Sequence, residues 1–453
     1  MREPGRAFVF HAPGQTASEA LDGLCRLMKL PRTNPFGSFL EPGQTVAVKP
    51  NLVHHRHYRG GKIEWVITSP SLIRAVCDAV LLAIGPRGRL LLGDAPLQSA
   101  DWNLLVSESG LDRLPAHYAR QGYSVQLADY RTLATRDFRG LKHSPRKLGG
   151  DPNGYRVVNL GSDSLHAGRD TARFRVTNYD PLKMRAHHNE SKHEYLISGS
   201  ILSADCIINL PKLKTHRKSG LTCALKNMVG INGCKDWLPH HSTGAAGQGG
   251  DEYPSAAGWK QMYSWMAERE ETTRSLAVRL SWNTARRLLG RAGSILGANA
   301  FSEGSWYGND TLWRTILDLN RAALYAGPDG VLRERPARTV LTIVDALIAG
   351  EGEGPMAPDP VPLECLIGGF DPVAVDIAAA RLACWPEDRL RTITGAFGIG
   401  RYPVTCSRPA EVRVDCAPRP IEELRRWLRP TEGFAPLFEE TIPGVAHRLE
   451  VGA

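Results

Sequence analysis

The chain has 453 residues, 42% hydrophobic and 23% charged, a globular composition that excludes a disordered or fibrous chain. Its 56 Lys and Arg exceed 47 Asp and Glu for a formal charge of +9, which suits acidic partners in general, a small anion as well as a nucleic acid. Its 9 cysteines form no C-x-x-C pair, so zinc ribbons, thioredoxin-type sites and ferredoxin-type iron–sulfur loops lack support.

Residues 1–44 read as an N-terminal extension without a secretory leader, and no apolar run suffices for a bilayer. The expectation is a cytoplasmic chain with reduced thiols. Residues 45–129 carry a βαβ pattern: a strand over 45–49, a basic loop over 54–62, a helix over 71–84 and a strand over 89–92. Ser69-Pro70 is the capping signal of that helix, and Leu72, Val76 and Val80 mark its buried face. A helix near 102–111 and a strand at 123–128 extend the unit. Residues 130–194 read as an irregular insertion, a loop or small β element.

Core pattern returns over 195–240, with a buried strand at 206–210. Residues 241–309 combine a glycine-rich loop, expected to be mobile at 243–254, with a helical insertion over 260–289. There Arg274, Arg279, Arg286 and Arg287 are expected to form one basic face. Residues 310–390 complete the core. Asp310 caps a helix bearing Leu312, Ile316 and Leu319, strands follow at 340–344 and 364–367, and Asp371-Pro372 opens a helix through Ala383. Residues 391–453 are a C-terminal extension with a short helix at 420–428. The fold class is α/β: an open, mostly parallel sheet with βαβ units, loop or β insertions and a helical insertion.

Chemistry-bearing residues gather at predicted strand ends, where open parallel sheets bind ligands. Lys49 and Asn51 end one strand, Asp94 another, Lys212, Lys214 and His216 follow a third, and Asp345 ends a fourth. Lys212 and Lys214 alternate, so in extended backbone they point the same way and need an anion or solvent between them. His216 is suited to acid/base work. Lys226 lies in an apolar, helix-like stretch, where desolvation would lower its pKa and favour nucleophilic chemistry. Thr222 and Asn227 add polar contacts, and glycines 220, 230 and 233 free backbone amides for an anion.

Asp94, Asp345 and Glu353 could hold a divalent metal, with His240 and His241 as further ligands. His54, His55 and His57, like His187, His188 and His193, read as solvated. No Walker spacing occurs, nor a G-x-G-x-x-G following a strand, which disfavours an ATPase or a nicotinamide enzyme.

In order along about 46–385, the motifs Val48-Lys49-Pro50-Asn51-Leu52, Thr68-Ser69-Pro70, Gly93-Asp94, Asn209-Leu210-Pro211-Lys212-Leu213-Lys214-Thr215-His216, Leu225-Lys226-Asn227 and Glu351-Gly352-Glu353-Gly354-Pro355 resemble the domain of unknown function 362 family. That family's function is largely unassigned. The iron–sulfur cluster of some relatives is not implied here, because its cysteine motif is missing.

More distantly, His216 through Lys226 is similar to the H-x-x-[AS]-G-x-[ST]-x-x-x-K element of nickel-pincer-nucleotide lactate racemases. The resemblance implies an acid/base role for His216, covalent cofactor attachment for Lys226 and a nickel ligand near His240 or His241. Gly93-Asp94-Ala95-Pro96 lacks that family's second catalytic histidine, which speaks against racemisation and the pincer nucleotide.

The expected function is acid/base chemistry, with or without a metal, on a small anionic metabolite held by Lys49, Lys212 and Lys214. A second reading is an accessory protein that docks an acidic partner or nucleic acid through basic stretches at 56–62, 142–146 and 274–287. A third is a redox protein using scattered cysteines as iron–sulfur ligands.

Overall fold

The computed structural model describes residues 2–138, 141–295 and 302–439. Residues 440–453 of the C-terminal extension and 296–301 of the helical insertion lie outside the described residues. The strands of the central sheet are β1 (Arg6–His11), β2 (Thr45–Pro50), β3 (Arg89–Asp94), β4 (Ser124–Asp129), β5 (Cys206–Leu210), β6 (Lys212–His216), β7 (Gly220–Thr222), β8 (Thr339–Glu353), β9 (Ala357–Gly369) and β10 (Arg413–Ala417). Their spatial order is β10-β1-β9-β8-β5-β2-β3-β4, with β6 and β7 branching from β8. Strands β8, β5, β2, β3 and β4 run parallel, and β9 runs antiparallel between β1 and β8. The mixed α/β architecture with a mostly parallel sheet is the one the sequence pattern implies. The sheet also takes strands from both stretches read as terminal extensions.

Alternation along the central strands splits the core into two layers. Val46 and Val48 of β2 and Cys206 and Ile208 of β5 face a layer covered by the helices Ala17–Leu27 and Pro70–Ile84. Ala47 and Ile207 face the other, covered by the helices Leu312–Tyr325 and Pro372–Leu382. Each fully buried Val, Leu or Ile contributes about 1.5–3 kcal/mol of hydrophobic free energy, so two full layers hold the sheet rigid under the site. Among the described residues no helix is long and apolar enough to cross a membrane.

Several local expectations are corrected. Thr311, not Asp310, precedes the helix Leu312–Tyr325, and Asn309 Oδ1 takes the Leu312 amide at 2.8 Å. Asp310 instead gathers Arg169, Arg314 and Arg391. The helical insertion is two helices, Gly258–Thr272 and Leu276–Ile295. Its basic face is broken because Arg286 turns inward to Glu270 at 3.0 Å. Residues 420–428 hold only a single helical turn, Ile421–Leu424. The expected mobile loop at 243–254 buries Asp251, Glu252 and Tyr253. Histidines read as solvated are largely interior: His54, His57, His188 and His193 are all buried. His57 orders its own loop by accepting the Arg59 and Gly61 amides on Nδ1 and facing the Pro358 carbonyl with Nε2 at 3.0 Å.

Candidate functional site

Pro211 interrupts the strand that begins as β5. Its carbonyl accepts the Asp345 amide at 2.8 Å, and the chain resumes as β6 along the projecting half of β8. This bend carries Lys214 and His216 above the carboxyl ends of β2 and β3. The chain then reverses at Gly220, whose φ of +78° suits glycine, and Thr222 of β7 pairs with Lys214. A short helix, Ala224–Asn227, follows and brings Lys226 and Asn227 over Lys49.

These elements enclose a cavity of about 540 Å³. Its lining includes Lys49, Asn51 and Asp94 from the parallel strand ends, and Lys214, His216 and Thr222 from the β6–β7 hairpin. Lys226, Asn227, Lys235 and His240 close one side, and Glu353 stands at the end of β8. Of the candidates read from sequence, Lys212, Asp345 and His241 do not line it.

Lys49 is already fully used. Its ammonium meets Asp94 Oδ1 at 2.8 Å and donates to the Pro50 carbonyl at 2.8 Å and Asn227 Oδ1 at 3.0 Å. Those partners satisfy all the protons an ammonium can donate. Asp94 in turn accepts the Leu52 and Ala95 amides. Gly230 lies so close that a Cβ there would overlap Asp94 Oδ1 and Lys49 Nζ, which makes glycine a packing requirement. Asn227 is likewise committed, donating to the Lys49 carbonyl and to Asn209 Oδ1. Lys212 forms a second buried pair with Asp345 at 3.0 Å, and Asp345 also receives the Ser69 amide at the start of the helix Pro70–Ile84. These residues build the floor and do not reach for a ligand.

The open groups are different ones. The side-chain amines of Lys226 and Lys235 carry no hydrogen bond or ion pair to another described residue, and both residues line the cavity. Lys214 donates to the Val66 carbonyl, and Lys218 to Thr177 Oγ1 at 2.8 Å. Thr222 Oγ1 and Asn51 Oδ1 are buried without partners. Burial, reinforced by Lys235 and Lys49, pushes the Lys226 amine down to about 7. Burial lowers Lys218 and Lys235 to about 8 and takes Lys214, beside Lys212 and Lys226, well below the usual lysine range. Ammonium groups gathered this way repel one another, and a bound polyanion would relieve that repulsion.

The two cavity histidines differ in tautomer, assigned from their partners. His216 Nδ1 accepts the Lys218 and Ser219 amides at 3.1 and 3.2 Å, which places the ring proton on Nε2. His240 Nδ1 donates to the Leu238 carbonyl at 2.7 Å and leaves the Nε2 lone pair free. Burial and the surrounding cations hold both rings well below the ordinary histidine range, so both are neutral at pH 7. One therefore presents a donor and the other a base.

The proposed metal ligands do not converge. Asp94 and Asp345 are bound to lysines, Glu353 is exposed at the cavity rim, and His241 lines a separate crevice with Arg175. Among the described residues no group of three or more His, Cys, Asp or Glu is arranged to hold a metal ion. Sequence reasoning singled out neither Lys235 nor Lys218. Nothing in the pattern Gly233-Cys234-Lys235-Asp236 marks its lysine as a cavity residue.

A comparison with curated proteins finds no match. Among solved structures, a protein from Thermotoga maritima is similar at 10% identity and a TM-score of 0.32, covering 83% of this chain. The chain spans 60% of that protein's length. Residues 164–381, which contain β5 to β9 and most of the open cavity groups, match the family described as domain of unknown function (DUF362).

Proposed function

We propose that the chain is an enzyme that binds a small polyanion in the lysine-lined cavity and moves a proton there with His240 and His216. One observation carries this reading: Lys214, Lys218, Lys226 and Lys235 surround one cavity whose best-placed carboxylate, Asp94, is already spent on Lys49. An interior in which cations outnumber the carboxylates is costly, and a ligand with phosphate or carboxylate groups offsets that cost. In this reading His240 Nε2 accepts the substrate proton while the His216 Nε2–H stabilises the negative charge that develops on oxygen. Asn51 and Thr222 orient the ligand through groups that otherwise lack partners.

Titration calorimetry with inorganic pyrophosphate tests the binding half. The wild type should bind one equivalent, and Lys226→Gln or Lys235→Gln should each weaken it about tenfold, the loss of one charged hydrogen bond. No binding, or binding indifferent to both substitutions, would overturn the proposal. So would preferential binding of single-stranded DNA with steep salt dependence, the signature of a polynucleotide partner.

A further inference from the structure

An amine inside a protein is ordinarily held by a carboxylate, carbonyl or hydroxyl. In this cavity Lys49, Lys214 and Lys218 follow that rule, whereas Lys235 and the partly buried Lys226 do not. Lys235 stands beside it as a companion cation, Asp94 acts on it only at a distance, and among the described residues no acceptor hydrogen-bonds the Lys226 amine. Desolvation and a neighbouring positive charge are the conditions under which a lysine becomes a nucleophile at neutral pH. The same cavity supplies a free imidazole lone pair on His240, an N–H on His216 and an unpartnered hydroxyl on Thr222.

Resting on the anion-binding reading above, we infer that Lys226 forms a Schiff base with a small anionic carbonyl compound, an aldehyde or 2-oxo acid bearing a carboxylate or phosphate. The Nζ lone pair adds to the carbonyl carbon while the C=O π pair moves to oxygen, which the His216 N–H stabilises. Both amine protons then leave with that oxygen as water, His240 Nε2 carrying them. One C=N bond forms, the C–O bond breaks, and no oxidant or reductant is needed. The imine withdraws electrons from the adjacent carbon and so eases loss of a proton there. Hydrolysis returns the free lysine. Lys214, Lys218 and Lys235 hold the anionic group, which selects charged over neutral carbonyl compounds.

Borohydride trapping on the full chain tests this, with glyoxylate as the carboxylate probe, pyridoxal 5′-phosphate as the phosphate probe and propanal as the neutral control. Peptide mapping of the wild type should place the reduced adduct at Lys226 for one or both anionic probes and not for propanal. Which anionic probe reacts distinguishes carboxylate from phosphate recognition. Lys226→Arg, which keeps the charge, should remove the adduct.

Between pH 6 and 8 the initial trapping rate with glyoxylate should rise about tenfold, as for an amine titrating at about 7. An ordinary lysine would give about a hundredfold rise. An adduct spread over surface lysines, one centred on Lys235, or none would overturn the inference, whether or not the arginine variant folds. Pyrophosphate binding measured on the same preparation separates the cases: binding without trapping sinks only the Schiff base, and absence of both sinks the anion site as well.

Discussion

At the scale of single residues, the site divides into groups that build and groups that wait. Lys49–Asp94 and Lys212–Asp345 are nearly inaccessible pairs at 2.8 and 3.0 Å, each locked further by backbone hydrogen bonds. Replacing Asp94 by Ala strands a buried ammonium and should cost about 3–5 kcal/mol. The double change Lys49→Met with Asp94→Leu removes both charges and should cost much less. Urea unfolding of the set checks this, and equal losses in the single and double variants would refute it.

The strand-end positions of Lys49 and Asp94 were legible because βαβ periodicity locates strand ends, whereas Asp345, expected to end its strand, lies in the middle of β8. Their commitment to one another was not, since pairing depends on depth and on which backbone carbonyls lie within reach. That is why Lys49, Lys212 and Asn227, read as ligand contacts, serve the scaffold instead. It is also why Lys235, which has no pattern around it, became visible only in three dimensions.

At the scale of elements, the longest strands were the least legible. Only 340–344 and 364–367 read as strand, yet β8 and β9 form a hairpin over Thr339–Glu353 and Ala357–Gly369. Prolines 358, 360 and 362 are the reason, since proline within a run argues against strand. Here they alternate, opposite Gly352, Gly350 and Ile348, so their missing N–H groups all fall on the edge turned away from β8. Strand β1 pairs only farther along, at residues 365–368. The ladder to β8 therefore survives, and the hairpin projects far enough for Glu353 to reach the cavity rim.

The opening of the helix Pro372–Leu382 is the contrasting case, because Asp-Pro is a local signal and needs no tertiary information. Asp371 accepts the Val373 and Ala374 amides and also ties in the Gly5 amide and the Thr405 hydroxyl. Asp371→Ala loses the cap and leaves buried donors unmet, a destabilisation of about 2 kcal/mol or more. Guanidinium unfolding reads that loss, and an unchanged midpoint would contradict the role given to this carboxylate.

At the scale of the whole molecule, the +9 formal charge has a partly internal location. Lys226 titrates at about 7 and Lys218 and Lys235 at about 8, whereas all would titrate near 10.4 in the unfolded chain. Between pH 7 and about 10 the unfolded state thus binds more protons than the native state, and stability rises with pH. The ligand-free protein should accordingly melt at a higher temperature at pH 9 than at pH 7. Saturating pyrophosphate should shrink that difference, because an anion restores the charged lysines. Calorimetric scans at both pH values decide the point, and a melting temperature that is flat or falling would count against a strained cationic cavity.

The broad fold was readable from alternation and periodicity over the two core layers. The basic face of the helical insertion was misread at Arg286 alone, because a charge run does not reveal an inward turn.

The most direct test of the central claim is to locate an anion. Crystals soaked in tungstate, a heavy tetrahedral oxyanion, should show an anomalous peak inside the cavity within hydrogen-bonding reach of Lys226 and Lys235. Peaks confined to surface arginines, with the cavity empty, would contradict it.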